Sequence, residues 1–148
     1  VPLTRHETLD GLVGTLDDHT LGLLTVTMDN PQGYGRIVRD SSGQFAAIVE
    51  QKNATDEQLL ITEVNPSYYC FDRKCLFTTL HGLRPDDTGG EYYLTDVPGI
   101  LKDQGHHVGL LDEVSQEDVL SINSFDQLAK VDEILRHRLA HTATGGQA

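Results

Sequence analysis

The chain of 148 residues sets 11 Lys and Arg against 23 Asp and Glu, a formal net charge of -12, with 38% hydrophobic residues. That length and composition describe one globular domain with a real core, and the acidity works against a surface that binds nucleic acid by neutralising its phosphates. No apolar run approaches the roughly 20 residues of a membrane-spanning helix and no basic-then-apolar leader is visible, so the expected location is cytoplasmic.

Thr4-Arg5-His6-Glu7 reads as a capping box. Leu9, Leu12, Val13 and Leu16 follow at helical spacing, which predicts a helix over 5–17. Residues 22–28 read as a strand, 36–39 as a second, Asp40-Ser41-Ser42-Gly43 as a turn and 45–50 as a third strand. Asn53–Gln58 reads as a polar loop. Residues 59–72 predict one or two strands broken near Pro66, and 73–81 a short helix with Leu76, Phe77 and Leu80 apolar. Residues 84–90 read as a loop.

Thr95 is placed to cap a helix carrying Val97 and Leu101, with Pro98 in its first turn and Gly105 as its stop. A strand over 107–112 comes next. Ser124-Phe125-Asp126-Gln127 is a second capping box, opening a last helix with Leu128, Val131, Leu135 and Leu139 on one face. The tail from Thr142 reads as frayed. Interleaved strands and helices predict an α/β fold with a mixed sheet.

Cys70 and Cys75 sit among apolar neighbours and read as small core hydrophobes. There is no GxxxxGK[ST] loop, no GxSxG elbow and no HExxH. His137 and His141 stand four apart, a metal-compatible spacing on a helix, although solvated surface histidines are the favoured reading. Four polar positions stand out. Glu50 ends an apolar strand, where a carboxylate is costly unless paired or at the rim. Asn65 precedes Pro66 at a strand break, and Asn123 lies just before the capping serine of the last helix, where free backbone donors favour an anion. Gly35 puts no side chain between its N–H and whatever approaches. Each also has an ordinary reading as a strand-end, turn or cap residue.

The strings DNPQGYGRIVR (29–39), IVEQKNATDEQ (48–58), ITEVN (61–65), GEYYLTD (90–96) and SIN (121–123) before a final helix occur in an order that resembles the N-acetylglucosamine-1-phosphate uridyltransferase domain, over nearly the whole chain. The resemblance implies a Rossmann-like nucleotide-sugar nucleotidyltransferase fold, here lacking its N-terminal nucleotide-binding half. The implied domain layout is a sugar-binding part over 1–141 and the tail over 142–148. It implies a transferase that converts UTP and N-acetylglucosamine-1-phosphate to UDP-N-acetylglucosamine and pyrophosphate, for peptidoglycan and other cell-envelope precursors, with Mg2+.

Carried over position by position, Gly35 offers its backbone N–H to the amino sugar, and a Cβ there would stand in the sugar's place. Glu50 and Asn65 bond the hydroxyl and acetamido groups, Tyr93 and Thr95 lie near the sugar phosphate, and Asn123 ligates magnesium. The chain opens Val1-Pro2-Leu3 without methionine and is expected to be a piece of something longer. The resemblance puts a glycine-rich phosphate loop, a lysine and a magnesium-binding aspartate upstream of Val1, so the isolated chain is expected to be inactive. Ser67 and Ser121 stand where the family favours glycine. The alternatives are a non-catalytic fragment needing a partner half, and a related sugar-1-phosphate nucleotidyltransferase.

Overall fold

A computed structural model describes residues 2–85, 90–112 and 114–145, the last four as backbone only. Most of the 84–90 stretch therefore lies outside the described residues. The class is α/β as expected, with two sheets rather than one. β1 (Leu21–Leu24) lies between β6 (Tyr69–Phe71), antiparallel, and β7 (Val108–Leu111), parallel. The second sheet, in the order β2-β5-β3-β4, is antiparallel and contains Val26–Thr27, Glu63–Asn65, Gly35–Arg39 and Phe45–Val49.

The run 22–28 thus splits at Thr25 and serves both sheets. Thr25 is fully buried. Its N–H donates to Leu111 O at 2.9 Å and its hydroxyl to Glu63 Oε1 at 2.8 Å, one bond into each sheet. Leu24 and Val26 on either side join Leu12, Met28, Val64 and Val119 in one buried cluster. Leu23 packs with Ile37, Phe45 and Ile48, and Leu21 with Val97 and Leu101.

α1 (His6–Gly14) continues into a 3-10 turn over Thr15–Asp17. Its seat is a pair of glycines, since Gly22 and Gly109 are register partners across β1 and β7. A Cβ on Gly22 would lie 1.8 Å from Thr15 Oγ1, and one on Gly109 2.9 Å from His19 Nδ1. The expected capping box at Thr4 does not form: Arg5 occupies the cap position without a side-chain capping bond, and the Thr4 hydroxyl pairs instead with the Tyr68 hydroxyl and donates to Asp118 O. Only Leu12 of the predicted stripe is buried in the helix, with Val13 59% exposed.

The polar 53–58 stretch is not a loop. A 3-10 turn over Gln51–Asn53 leads into α2 (Asp56–Leu59), with Thr55 and Gln58 as a reciprocal capping box. α3 (Arg73–Leu80) is capped by Asp72, though Phe77 faces solvent. α4 (Val97–Asp103) follows a 3-10 turn over Leu94–Asp96. Thr95 does not cap it, because that hydroxyl is committed to Glu50. α5 spans Phe125–Gly145. Val131 is buried, whereas Leu128, Leu135 and Leu139 of the same predicted apolar face are exposed, and so is Phe125, at 89%.

An ion pair at the sheet edge gives the fold an acid dependence. Arg39 forks onto Glu63 through Nε to Oε2 at 2.8 Å and Nη2 to Oε1 at 2.7 Å. Burial pushes the Glu63 carboxyl up, but the Arg39 and Thr25 hydrogen bonds and the Arg39 charge outweigh it and hold the carboxyl below its ordinary value. A depressed folded value stabilises the protein above the unfolded carboxyl's pKa and is lost as pH falls through the folded one. Denaturant titrations between about pH 5 and pH 2 should therefore show a shallower acid loss in Glu63→Gln than in the unaltered chain.

Candidate functional site

The loop before β3 turns at Gly33, whose φ of +87 suits glycine. Gly35 has a different task. It opens β3, is buried, and pairs in register with Asn65 of β5. A Cβ at Gly35 would meet Ile48 Cγ2 at 2.9 Å and stand 3.7 Å from Glu50 Oε2. The missing side chain therefore allows β3 to approach the end of β4, where Glu50 leaves the sheet.

Arg36 fastens this loop from beneath. It is 3% exposed, and its Nη1 donates to Pro31 O at 2.8 Å and Tyr34 O at 2.5 Å. Nη2 reaches Gln51 Oε1 at 3.4 Å, and that oxygen also accepts from Gly33 N–H at 2.5 Å. Arg36 Nε is a buried nitrogen without a hydrogen-bond partner among the described residues. A buried guanidinium that donates to backbone carbonyls holds a loop in one conformation more firmly than a surface contact does.

Glu50 sits at the rim, as a carboxylate ending an apolar strand should. Thr95 Oγ1 donates to its Oε1 at 2.9 Å. Asn65, 3% exposed, donates through Nδ2 to the Tyr69 hydroxyl at 2.7 Å and accepts at Oδ1 from Ser67 N–H at 3.0 Å. That second bond closes a turn in which Ser67 has a φ of 67, the left-handed conformation that glycine adopts without strain. The amide keeps one N–H and one lone pair for a further partner. Burial above all pushes the Tyr69 phenol up to about 12, Glu50 adding to it against the Asn65 and Ser67 bonds, so the phenol stays protonated at neutral pH.

Glu50, Gln51, Lys52, Leu59, Glu91 and Tyr93 line a cavity of about 570 Å³. Tyr93 donates to Glu91 Oε2 at 2.5 Å. Lys52 Nζ lies 3.3 Å from the same oxygen and 4.9 Å from the Tyr93 ring centroid. Contact with Tyr93 first, then Glu91, raises the Lys52 ammonium above its ordinary value, so this one cation stays charged in a cavity it shares with Glu50 and Glu91. Gly35, Glu50, Asn65, Tyr93 and Thr95 thus converge, joined by register, hydrogen bonds and a shared wall. Arg36, Gln51 and Lys52 escaped the sequence reading. An arginine in the apolar strand after GYG and a lysine two residues past Glu50 were the available signals.

Asn123 stands apart. It is exposed, its N–H donates to Gln127 Oε1 at 2.6 Å, and its Nδ2 donates to Ser121 Oγ at 3.4 Å. The second capping box forms with a shifted register, as Ser124 Oγ accepts from Gln127 N–H while Gln127 reaches back to Asn123. Among the described residues no hydrogen bond links Asn123 to Glu50, Asn65 or Thr95. The nearest tie is Gln127, which shares a cavity of about 410 Å³ with Gln32 and Tyr34 of the glycine loop. No group of three or more His, Cys, Asp or Glu among the described residues can hold a metal ion. Asn123 Oδ1 is a hard oxygen donor of the kind magnesium accepts, and by itself it makes no closed protein cage. Among the described residues no helix is long and apolar enough to cross a membrane.

No family model matches the chain. Individual relatives do. Each is named "Bifunctional protein GlmU". The Ralstonia nicotianae protein is 45% identical over 140 residues, covering 95% of this chain and 31% of the relative. That of Methylococcus capsulatus is 42% identical over 134 residues, with 90% and 29% covered, and that of Clostridium acetobutylicum 39% over 143, with 93% and 30% covered. The chain spans less than a third of the length of these relatives. With the Gly35–Glu50–Asn65 arrangement in place, this extent of identity makes the chain one part of a GlmU-like protein.

Proposed function

We propose that this chain forms the sugar-phosphate side of a cytoplasmic uridyltransferase centre that joins UTP and N-acetylglucosamine-1-phosphate into UDP-N-acetylglucosamine and pyrophosphate, for cell-envelope synthesis. The observation that carries the reading is the Glu50 carboxylate, held by Thr95 at 2.9 Å at the rim of the cavity it shares with Lys52 and Tyr93. A carboxylate and a half-committed amide can fix the orientation of a hydroxylated, acetylated sugar, and Lys52 offers charge to its phosphate.

In the reaction a phosphate oxygen of the sugar 1-phosphate forms a bond to the α-phosphorus of UTP. The bond to the bridging oxygen breaks and pyrophosphate leaves with that electron pair. No protein nucleophile is needed, and this chain's residues act by positioning. Magnesium, when bound, neutralises phosphate charge, and Asn123 Oδ1 is the ligand this chain offers it.

Pyrophosphate release by the full-length protein containing this segment, with UTP and a panel of sugar 1-phosphates, tests the reading. N-acetylglucosamine-1-phosphate should be preferred, and Glu50→Ala should lower kcat/KM for it by about 10- to 100-fold, the value of a hydrogen bond to a charged group. Preference for glucose- or mannose-1-phosphate, or an unchanged Glu50→Ala enzyme, would overturn the assignment. A second reading, a module that works only when a partner half docks, draws on the apolar side chains left in solvent, Phe125, Val13 and Leu139 (61%) among them. Tight UTP binding by the chain alone would refute it.

A further inference from the structure

The histidines of α5 do not simply point into water. His137 and His141 are both exposed, yet their Nε2 atoms lie 3.1 Å apart, with ring centroids at 4.4 Å and planes inclined by 67°. A hydrogen bond can span that gap, with the tautomers deciding which ring donates. The separation is also a chelate bite. With metal–nitrogen bonds of about 2.0–2.1 Å, it subtends an angle of about 100° at the ion, between the octahedral right angle and the tetrahedral value.

We propose that His137 and His141 form a bidentate surface site for a borderline divalent first-row cation such as Ni2+ or Zn2+. In the complex each ring would turn an Nε2 lone pair to the ion and carry its proton on Nδ1. The ring that donates its Nε2 proton changes tautomer, and no proton is lost overall. Waters fill the remaining positions. Glu133, one turn earlier on the helix, is the nearest carboxylate along it. Arg138 is drawn away to Glu117, Asp118 and the Leu3 carbonyl, which keeps its charge off the pair. Imidazole nitrogens select nickel and zinc over magnesium, which demands oxygen ligands. The site is therefore independent of the uridyltransferase reading.

Calorimetric titration of the metal-stripped chain with NiCl2, ZnCl2 and MgCl2 tests this. Nickel and zinc should each saturate at one ion per chain, and magnesium should give no signal. His137→Ala and His141→Ala should each weaken nickel binding at least about tenfold, the least that loss of even a supporting residue costs a metal site. Nickel should also raise the Tm of the unaltered chain and not that of either variant. Both positions are exposed, and circular dichroism confirms that the variants fold. Variants that titrate like the unaltered chain, or an unaltered chain that takes up neither ion, would overturn the proposal.

Discussion

Gly22→Ala should destabilise the chain by about 3 kcal/mol, at the upper end of what overpacking a filled core costs. The new methyl would fall 1.8 Å from Thr15 Oγ1, 2.9 Å from the Leu12 carbonyl and 3.1 Å from Thr15 Cβ. A rotation of Thr15 cannot relieve all three, since its own hydroxyl is tied to Leu12 O at 2.6 Å and the other two atoms belong to the helix backbone and its first side-chain carbon. The strand gains a little from losing glycine's flexibility, about 0.5–1 kcal/mol, which is too small to offset the clash. Denaturant unfolding monitors the effect. Adding Thr15→Ala to Gly22→Ala should return about 1 kcal/mol, the signature of two residues in contact. A Gly22→Ala chain as stable as the original would show that α1 does not rest on this surface.

Asp118→Ala should be comparably costly. The Asp118 side chain is 5% exposed and receives Arg5 Nε at 3.2 Å and Arg138 Nη2 at 2.8 Å. Arg138 also donates to Leu3 O at 2.9 Å and to Glu117 at 2.9 Å, so one carboxylate ties the start of the chain to the 3-10 turn over Gln116–Val119 and to α5. Removing the anion leaves Arg138, largely shielded from water, without its buried counter-ion. Breaking a buried pair costs about 3–5 kcal/mol. The lower end applies here because Arg5 is half in solvent and Arg138 keeps Glu117. Thermal or denaturant unfolding of Asp118→Ala reads the loss. Arg5→Ala serves as the comparison and should cost about 1 kcal/mol or less, as exposed pairs do. Equal losses in the two variants would show that burial is not what gives Asp118 its weight.

The parts of this fold that the sequence revealed are those decided within a few residues. The β3–turn–β4 hairpin was readable because Asp40 and Gly43 carry a turn's chemistry, and the Asp40 carboxylate does accept from Ser42 and Gln44 N–H. α4 was readable because Pro98 and Gly105 mark its ends. Gly35, Glu50, Asn65, Tyr93 and Thr95 could be named from motif strings, but that they meet depends on β3 pairing with β5. The split at Thr25 was hidden, because an apolar run does not say which neighbours each half will pair with. The Thr55–Gln58 box was overlooked under a polar composition, although the same reasoning found the start of α5. The stripes of α1 and α5 are visible in the sequence, but periodicity finds an apolar face and not what covers it. Arg36 could not be foreseen, since its use comes from carbonyls that the loop brings together only once folded.

Thr25 constrains how the cavity beside Glu50 can respond to a ligand. One residue carries the chain from the β7-paired sheet to the sheet holding Gly35 and Asn65, and it is pinned to both. A scissoring of one layer against the other would strain these bonds at a fully buried residue, which makes that route to opening costly. With Arg36 also clamping the turn at Gly33, accommodation of an incoming molecule falls to the opposite wall, where Lys52, Glu91 and Tyr93 touch through solvent-accessible contacts. Slow amide exchange at Thr25 and Val26, beside fast exchange at Glu91 and Tyr92, is the pattern this division of labour leaves behind.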